Sequence, residues 1–160
     1  MIALARVDDR LVHGQVTAGW VPHLRATVVV VANDRIAADP LLTGIVKAST
    51  AGVPVEVLSV ADAGRRGAAG AWEREAALIL FESLQDALRA LDAGLPVTRL
   101  NLGGLRHDDG RLCLCDGVTL DGDDCDLVRQ LCRRGVSVDV RLMPSERACP
   151  LPRELEGCGP

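Results

Sequence analysis

The sequence is poor in aromatic residues and in lysine. It contains no tyrosine, one phenylalanine and two tryptophans, and Lys47 is its single lysine. Proteins that bind single-stranded nucleic acids stack bases on aromatic side chains, and duplex binders present a concentrated basic face. The formal net charge is −4 and no basic stripe occurs along the chain. These features argue against a nucleic-acid partner.

Long apolar runs are also missing. A transmembrane helix needs roughly 18 consecutive apolar residues, and no stretch of this length occurs. The N-terminus lacks a charged region followed by an apolar run and a cleavage site. We therefore expect a soluble cytoplasmic protein without direct membrane insertion, whose membrane role would depend on a partner.

The cysteines predict neither disulfides nor a metal site. All six lie in the C-terminal third, at positions 113, 115, 125, 132, 149 and 158. In a cytosolic chain we expect them to be reduced. Cys113-Leu114-Cys115 lacks the second ligand pair that informative zinc spacings contain. We expect no metal and no cofactor.

Short apolar runs alternate with helical patterns along the 160 residues, which is enough chain for one domain. The predicted main strands are 2–7, 27–32, 54–58, 76–81, 97–102 and 136–142, with short irregular strands at 112–114 and 117–120. The predicted helices are 14–23, 40–50, 59–66, 83–93 and 123–134. This alternation predicts an α/β fold with an open, mostly parallel twisted sheet and helices on both faces.

Glycine and proline indicate a turn inside the domain and a loose segment at its end. Gly103-Gly104 indicates a sharp turn after the fifth strand. The end of the chain is rich in proline and glycine, which favours a loose segment. We predict a single domain over residues 1–145 and a short, loose tail over 146–160.

The most informative stretch follows the first strand. Asp8, Arg10, His13 and Gly14 lie between this strand and the first helix. In α/β folds this junction is the usual place for a site, and helix N-termini offer free N–H groups to anions. Arg10 adds a guanidinium suited to phosphate, and His13 adds a nucleophilic imidazole. The combination suggests phosphoryl transfer through histidine, although a surface histidine and ordinary loop charges fit the spacing as well.

Residues 6–16, RVDDRLVHGQV, resemble the active-site signature of the IIB subunits of the mannose/fructose/sorbose family of the bacterial sugar phosphotransferase system. Weaker matches follow in the same order at 30–34, 77–82, 93–105 and 134–145, so the likeness covers about residues 1–145. The family implies an open α/β sheet with the active site on the first strand-to-helix loop.

The resemblance also implies a reaction. A phosphohistidine of a IIA domain or subunit would phosphorylate His13, on Nδ1 according to the family. His13 would pass the phosphoryl group to a sugar held by the membrane subunits IIC and IID. The implied site has His13 and Arg10 as catalytic residues and Arg10, Gly14 and Gln15 as phosphate-binding residues. Further residues expected to line the site are Asp8, Asn101 and Gly103.

Two alternatives stay open at this point. The chain could be a regulatory phospho-acceptor of the same fold, or a nucleotide- or metabolite-binding α/β domain in which His13 is incidental. Neither His23 nor His107 has both an arginine and a helix start beside it, and Trp20 is expected in the core or facing a partner. The resemblance implies that a final helix usually follows, and the proline-rich tail does not predict one. The sugar and the oligomeric state are open, with a homodimer as one alternative.

Overall fold

A computed structural model of the chain describes residues 1–50, 52–106, 112–155 and 157–159. Its main sheet has six parallel strands in the order β3-β2-β4-β1-β5-β8. The strands are β1 (Ile2–Asp8), β2 (Val28–Ala32), β3 (Val55–Leu58), β4 (Ala77–Phe81), β5 (Arg99–Gly104) and β8 (Ser137–Val140), and a separate antiparallel hairpin is formed by β6 (Leu112–Cys115) and β7 (Val118–Leu120). The predicted α/β class is confirmed.

Helices cover both faces of this sheet. They are α1 (Val21–Leu24), α2 (Asp34–Ala38), α3 (Pro40–Ala48), α4 (Val60–Ala68), α5 (Leu84–Asp92) and α6 (Gly122–Arg133). A π-helical segment (Gln15–Trp20) precedes α1, and a 3₁₀ turn (Arg153–Leu155) lies near the end. No helix within the described ranges is long and apolar enough to cross a membrane.

Two apolar clusters lie on opposite faces of the sheet. One contains Val60 of α4, Ala87 of α5 and Leu131 of α6. The other contains Trp20 of the π-helical segment and Ile36 of α2. Every residue of β2 and β4 is buried. A parallel strand covered on both faces needs apolar residues at every position, which explains the unbroken apolar runs of these two strands. β1 lies between β4 and β5, so its carboxyl end opens at the middle of the sheet.

Helices α4 and α5 begin directly after serine residues that cap them. Ser59 and Ser83 accept hydrogen bonds from the backbone N–H of Asp62 and Asp86, which satisfies donors that the first helical turn leaves free. The predicted helix at 14–23 is instead a π-helical segment followed by α1, and α2 was missed. Gly103 and Gly104 do not form the predicted turn, because they are the last two residues of β5.

The end of the chain packs against the sheet. Leu155 and Cys158 are buried, and the Val138 N–H donates to the Cys158 carbonyl at 2.6 Å. Cys132 of α6 is disulfide-bonded to Cys158, with the two Cα atoms 5.3 Å apart. The expectation of six reduced cysteines was therefore wrong for this pair, which is far apart in sequence but adjacent in the fold. The expectation of a loose tail was wrong for these residues; where the domain ends stays a prediction.

Candidate active site

The site forms where β1 ends at the centre of the sheet. The backbone turns after Asp8, whose carbonyl accepts the N–H of Leu11 at 2.9 Å. Leu11 has a φ of 51°, in the left-handed region that a branched side chain rarely adopts. This turn directs the chain back over the strand end, so that His13 lies above Asp8.

The His13 ring contacts the carboxylate of Asp8. Nε2 of His13 lies 2.8 Å from Oδ2 of Asp8. The Asp8 side chain is fully buried, whereas 15% of the His13 side chain is exposed. The Asp8 carboxylate therefore contacts one of the two ring nitrogens of His13, Nε2. Because the two ring nitrogens differ in this way, the carboxylate can select which nitrogen carries the proton.

Arg10 lies at the rim of the same loop. Its Nη2 donates to Oε1 of Gln15 at 2.9 Å, and its Nε lies 3.8 Å from Oδ1 of Asp8. About 40% of its side chain is exposed. The predicted residues Asp8, Arg10, His13 and Gln15 are thus brought together. The charge of Arg10 is close to the buried carboxylate but remains open to solvent and to an incoming anion.

Backbone donors complete the loop. The His13 carbonyl accepts the N–H groups of Val16 and Thr17 at 3.0 and 2.9 Å, which starts the helical segment. Within the described part of the chain, the N–H groups of Gly14 and Gln15 have no hydrogen-bond acceptor. Free N–H groups at the start of a helix carry partial positive charge. They are suited to an anion next to His13.

Comparison with known proteins identifies the family and supports the fold. Residues 2–156 match the family described as the sorbose-subfamily IIB component of the phosphotransferase system. The chain is 30% identical over 146 residues to the fructose-specific EIIB component of Bacillus subtilis strain 168, covering 91% of this chain and 90% of that one. The chain belongs to the sorbose-subfamily IIB components.

Other comparisons agree with this family. The crystal structure of the IIBSor domain of the sorbose permease from Klebsiella pneumoniae matches with a TM-score of 0.84 and 30% identity, over 98% of this chain and 95% of that one. The mannose-specific EIIAB component of Escherichia coli K12 is 30% identical over 147 residues, which are 91% of this chain and 46% of that longer protein. This IIB component is therefore a phosphotransferase of the sugar phosphotransferase system.

Asn101 and Gly103 of the IIB component lie behind the site rather than around His13. Asn101 is fully buried on β5 and its Oδ1 accepts a hydrogen bond from Nη1 of Arg6. Gly103 faces the Arg6 guanidinium so closely that an added Cβ would overlap it. Both residues were predicted to line the crevice; in the structure they contact Arg6, which in turn contacts Asp8.

Sequence reasoning missed Arg6, although a signal was present. Arg6 is the only charged residue in the otherwise apolar run from Ile2 to Val7. It also precedes Asp8 by two residues, and alternation along a strand places such residues on the same side. Burial lowers the pKa of the Arg6 guanidinium, and the neighbouring Asp8 carboxylate opposes this effect.

The remaining candidates are separate from the loop. His23 is exposed in the last turn of α1. Trp20 is buried and its indole N–H donates to the Leu142 carbonyl at 2.9 Å, which confirms a core position. His107 lies outside the described residues.

Proposed function

We propose that His13 carries the phosphoryl group and that Nδ1 is its reacting nitrogen. The observation that supports this most is the 2.8 Å contact between Nε2 of His13 and Oδ2 of Asp8. An ionised carboxylate can only accept hydrogen bonds, so Nε2 carries the ring proton in this contact. Nδ1 then keeps the lone pair that attacks phosphorus.

The proposed reaction has two balanced halves. Nδ1 of His13 forms a bond to phosphorus while the P–N bond of a phosphohistidine on IIA breaks, and the donor ring recovers its electron pair. Later a sugar hydroxyl oxygen bonds to phosphorus, the Nδ1–P bond breaks, and the hydroxyl proton passes to a base at the sugar site. Because phosphorylated His13 keeps its Nε2 proton, the ring gains positive charge, which Asp8 offsets.

The loop around His13 supports the charge of the transferred group. Arg10 would bind phosphoryl oxygens through its planar guanidinium, after exchanging or sharing its contact with Gln15. The free N–H groups of Gly14 and Gln15 would donate to the same oxygens. Such fixed donors stabilise a loose phosphoryl-transfer transition state, in which positioning and electrostatics supply most of the catalysis.

The proposed partners are a IIA domain as donor and the membrane subunits IIC and IID as holders of the sugar. The IIA assignment is supported by the mannose-specific EIIAB relative, whose name joins both components in one protein. With these partners, the IIB component would work at the cytoplasmic side of a membrane. It would carry phosphate between a donor protein and a sugar.

The acceptor residue is tested with His13→Ala and with His23→Ala as a matched control. We expect His13→Ala to abolish phosphorylation by a cognate IIA donor and His23→Ala to retain it, because His23 lies exposed away from the loop. Mass spectrometry under alkaline conditions, which preserve phosphohistidine, locates the group. Phosphate on any histidine other than His13 would refute the assignment.

Onward transfer is tested separately. Phosphorylated protein is mixed with membranes that contain IIC and IID, and mannose, fructose, sorbose and amino sugars are supplied in turn. We expect loss of phosphate from His13 in the presence of one of these sugars, with an equal amount of sugar phosphate formed. Phosphate that returns to IIA but reaches none of the sugars would favour a regulatory phospho-acceptor.

A further inference from the structure

Arg6 is an unusual residue for the centre of a parallel sheet. It lies on β1, between β4 and β5, and its side chain has no exposed surface. Central parallel strands are normally apolar, and a buried charge is costly unless other groups compensate it. The structure must therefore compensate Arg6 fully, and the compensating groups indicate what this residue does.

Within the described part of the chain, Arg6 has hydrogen-bond partners on β1, on β5 and after β8. Nη2 and Nε donate to Oδ2 of Asp8 at 2.8 and 3.3 Å. Nη1 donates to Oδ1 of Asn101 and, at 3.2 Å, to the Arg141 carbonyl. Cζ lies 5.2 Å from the ring centre of Trp20, which adds a cation–π contact. Asp8 is the one carboxylate among these partners.

The Asp8 oxygen bound by Arg6 is also the oxygen that faces His13. Oδ2 accepts from Nη2 of Arg6 and lies 2.8 Å from Nε2 of His13. Oδ1 accepts the backbone N–H of Arg10 at 3.2 Å, so the carboxylate is held at both oxygens. Any change in the position of Asp8 therefore changes its contact with Nε2 of the His13 ring.

Asn101 fixes the other side of the guanidinium. Its Nδ2 donates to the Asp139 carboxylate at 3.1 Å and to the carbonyls of Asp139 and Arg141 at 3.3 Å. Because all three neighbours of Nδ2 are acceptors, a flipped amide would place its oxygen against them. Oδ1 must consequently face Arg6. The amide oxygen thus accepts from Nη1 of Arg6 while Nη2 faces Asp8.

The backbone of β5 provides the space for this arrangement. An added Cβ at Gly103 would overlap the Arg6 guanidinium, and one at Gly104 would lie 2.8 Å from Oδ1 of Asp8. Neither glycine has a positive φ, so a turn does not require them. Consecutive glycines here allow an arginine–aspartate pair to lie directly under the active-site loop.

We propose that Arg6 is a positioning residue for phosphoryl transfer, which acts through Asp8 to fix the ring tautomer of His13. This inference rests on the function proposed above. Without Arg6, Oδ2 of Asp8 would lose the cation that fixes its position, and the carboxylate would be held only through Oδ1 by the Arg10 N–H. Its contact with Nε2 would weaken, the ring proton would lie on Nδ1 in part of the molecules, and the attacking lone pair would be lost there. Arg6 holds the Asp8 carboxylate against Nε2, so Nε2 remains the donor and Nδ1 the nucleophile.

The tautomer is measured by ¹⁵N NMR of the neutral His13 ring, which needs no phosphoryl donor. We expect wild type to carry the proton on Nε2, and Arg6→Met to show a mixture with a substantial share of the Nδ1–H form. Arg6→Lys keeps a cation beside Asp8 and should restore most of the wild-type tautomer. Arg129→Met is the control, because it removes the same charge from an ion pair on α6. An Arg6→Met ring that stays in the Nε2–H form would overturn the proposal.

A double-mutant cycle tests whether Arg6 acts through Asp8. We expect Arg6→Met to slow phosphorylation of His13 about 10- to 100-fold, the range found when groups that orient a metal-bound histidine are removed. In the Asp8→Asn background the same change should have no further effect. An Arg6→Met/Asp8→Asn protein that is tenfold or more slower than Asp8→Asn alone would refute action through Asp8.

A variant that does not fold and a protein that IIA does not phosphorylate have different consequences for the proposal. If Arg6→Met does not fold, Arg6→Lys and the double variant carry both measurements, because neither leaves a buried carboxylate without a cation. If IIA phosphorylates none of these proteins, the proposed function fails. The tautomer measurement then still decides whether Arg6 orients His13.

Discussion

Arg10 combines two properties that a phosphate-binding residue needs. It is held near His13 by Gln15, yet about 40% of its side chain is exposed and can reach an incoming phosphoryl group. Its neighbour Asp8 lies 3.8 Å from Nε, too far for a strong hydrogen bond. The guanidinium therefore has donors to offer without breaking a buried ion pair.

Arg10→Lys should impair transfer more than folding. Lysine keeps the charge but loses the planar pair of donors, so we expect a transfer rate lower by about tenfold or more. The free energy of unfolding should change by no more than about 0.5 kcal/mol, as for other surface substitutions. Rapid-mixing single-turnover experiments and urea titrations measure the two effects, with Arg129→Lys as the control. A wild-type transfer rate would show that Arg10 takes no part.

At the level of single residues, the sequence predicted which loop residues the structure brings together, but not the residues that contact them from β1 and β5. His13, Arg10 and Asp8 could be predicted because they are neighbours in the chain beside an apolar run. Arg6 and Asn101 are 95 positions apart, and only the pairing of β1 with β5 joins them. A buried network of this kind depends on strand order, which local patterns do not contain.

Glycines in the helices have two different physical roles. Gly44 of α3 is exposed, and an added Cβ there would meet nothing within 4 Å. Gly64 of α4 is buried against α5, where an added Cβ would lie 2.6 Å from the Ala90 carbonyl oxygen. One glycine merely weakens its helix, whereas the other allows two helices to approach.

Substitution by alanine should separate these roles. Gly44→Ala should raise the free energy of unfolding by about 0.5–1 kcal/mol, because alanine loses less entropy in a helix. Gly64→Ala should lower it by about 1–3 kcal/mol, because overpacking displaces α5. Urea titrations with an unchanged slope measure both values. Equal effects of the two changes would contradict this account.

At the level of elements, caps and periodicity predicted most helices within a few residues. The two exceptions have physical causes. The spacing of Val16 and Trp20 fits an ordinary helical turn, but the structure has a π-helical segment there, with wider turns beside the active-site loop. α2 is only five residues long, capped by Asn33, and such a short helix leaves no periodic signal.

For the whole molecule, alternation of strands and helices predicted parallel pairing, but not which strands lie at the edges. The edges are β3 and β8. An uncovered edge strand offers unpaired backbone groups to other chains. Here the end of the chain lies along β8: Val138 donates to the Cys158 carbonyl, and Cys149 donates to the Val140 carbonyl at 2.8 Å.

The Cys132–Cys158 bond should stabilise the whole domain by holding this segment on β8. It closes a loop with a sequence separation of 26, and restricting the unfolded chain in this way contributes about 3 kcal/mol. We expect Cys158→Ser to unfold at a lower denaturant concentration than wild type without reductant, and at nearly the same concentration with reductant. Cys113→Ser is the control, because Cys113 is a free, exposed thiol. Equal unfolding of wild type and Cys158→Ser without reductant would show that backbone pairing alone holds the segment. In that case β8 would stay covered even in a reducing compartment, because the hydrogen bonds of Val138 and Cys149 and the buried Leu155 do not depend on the disulfide.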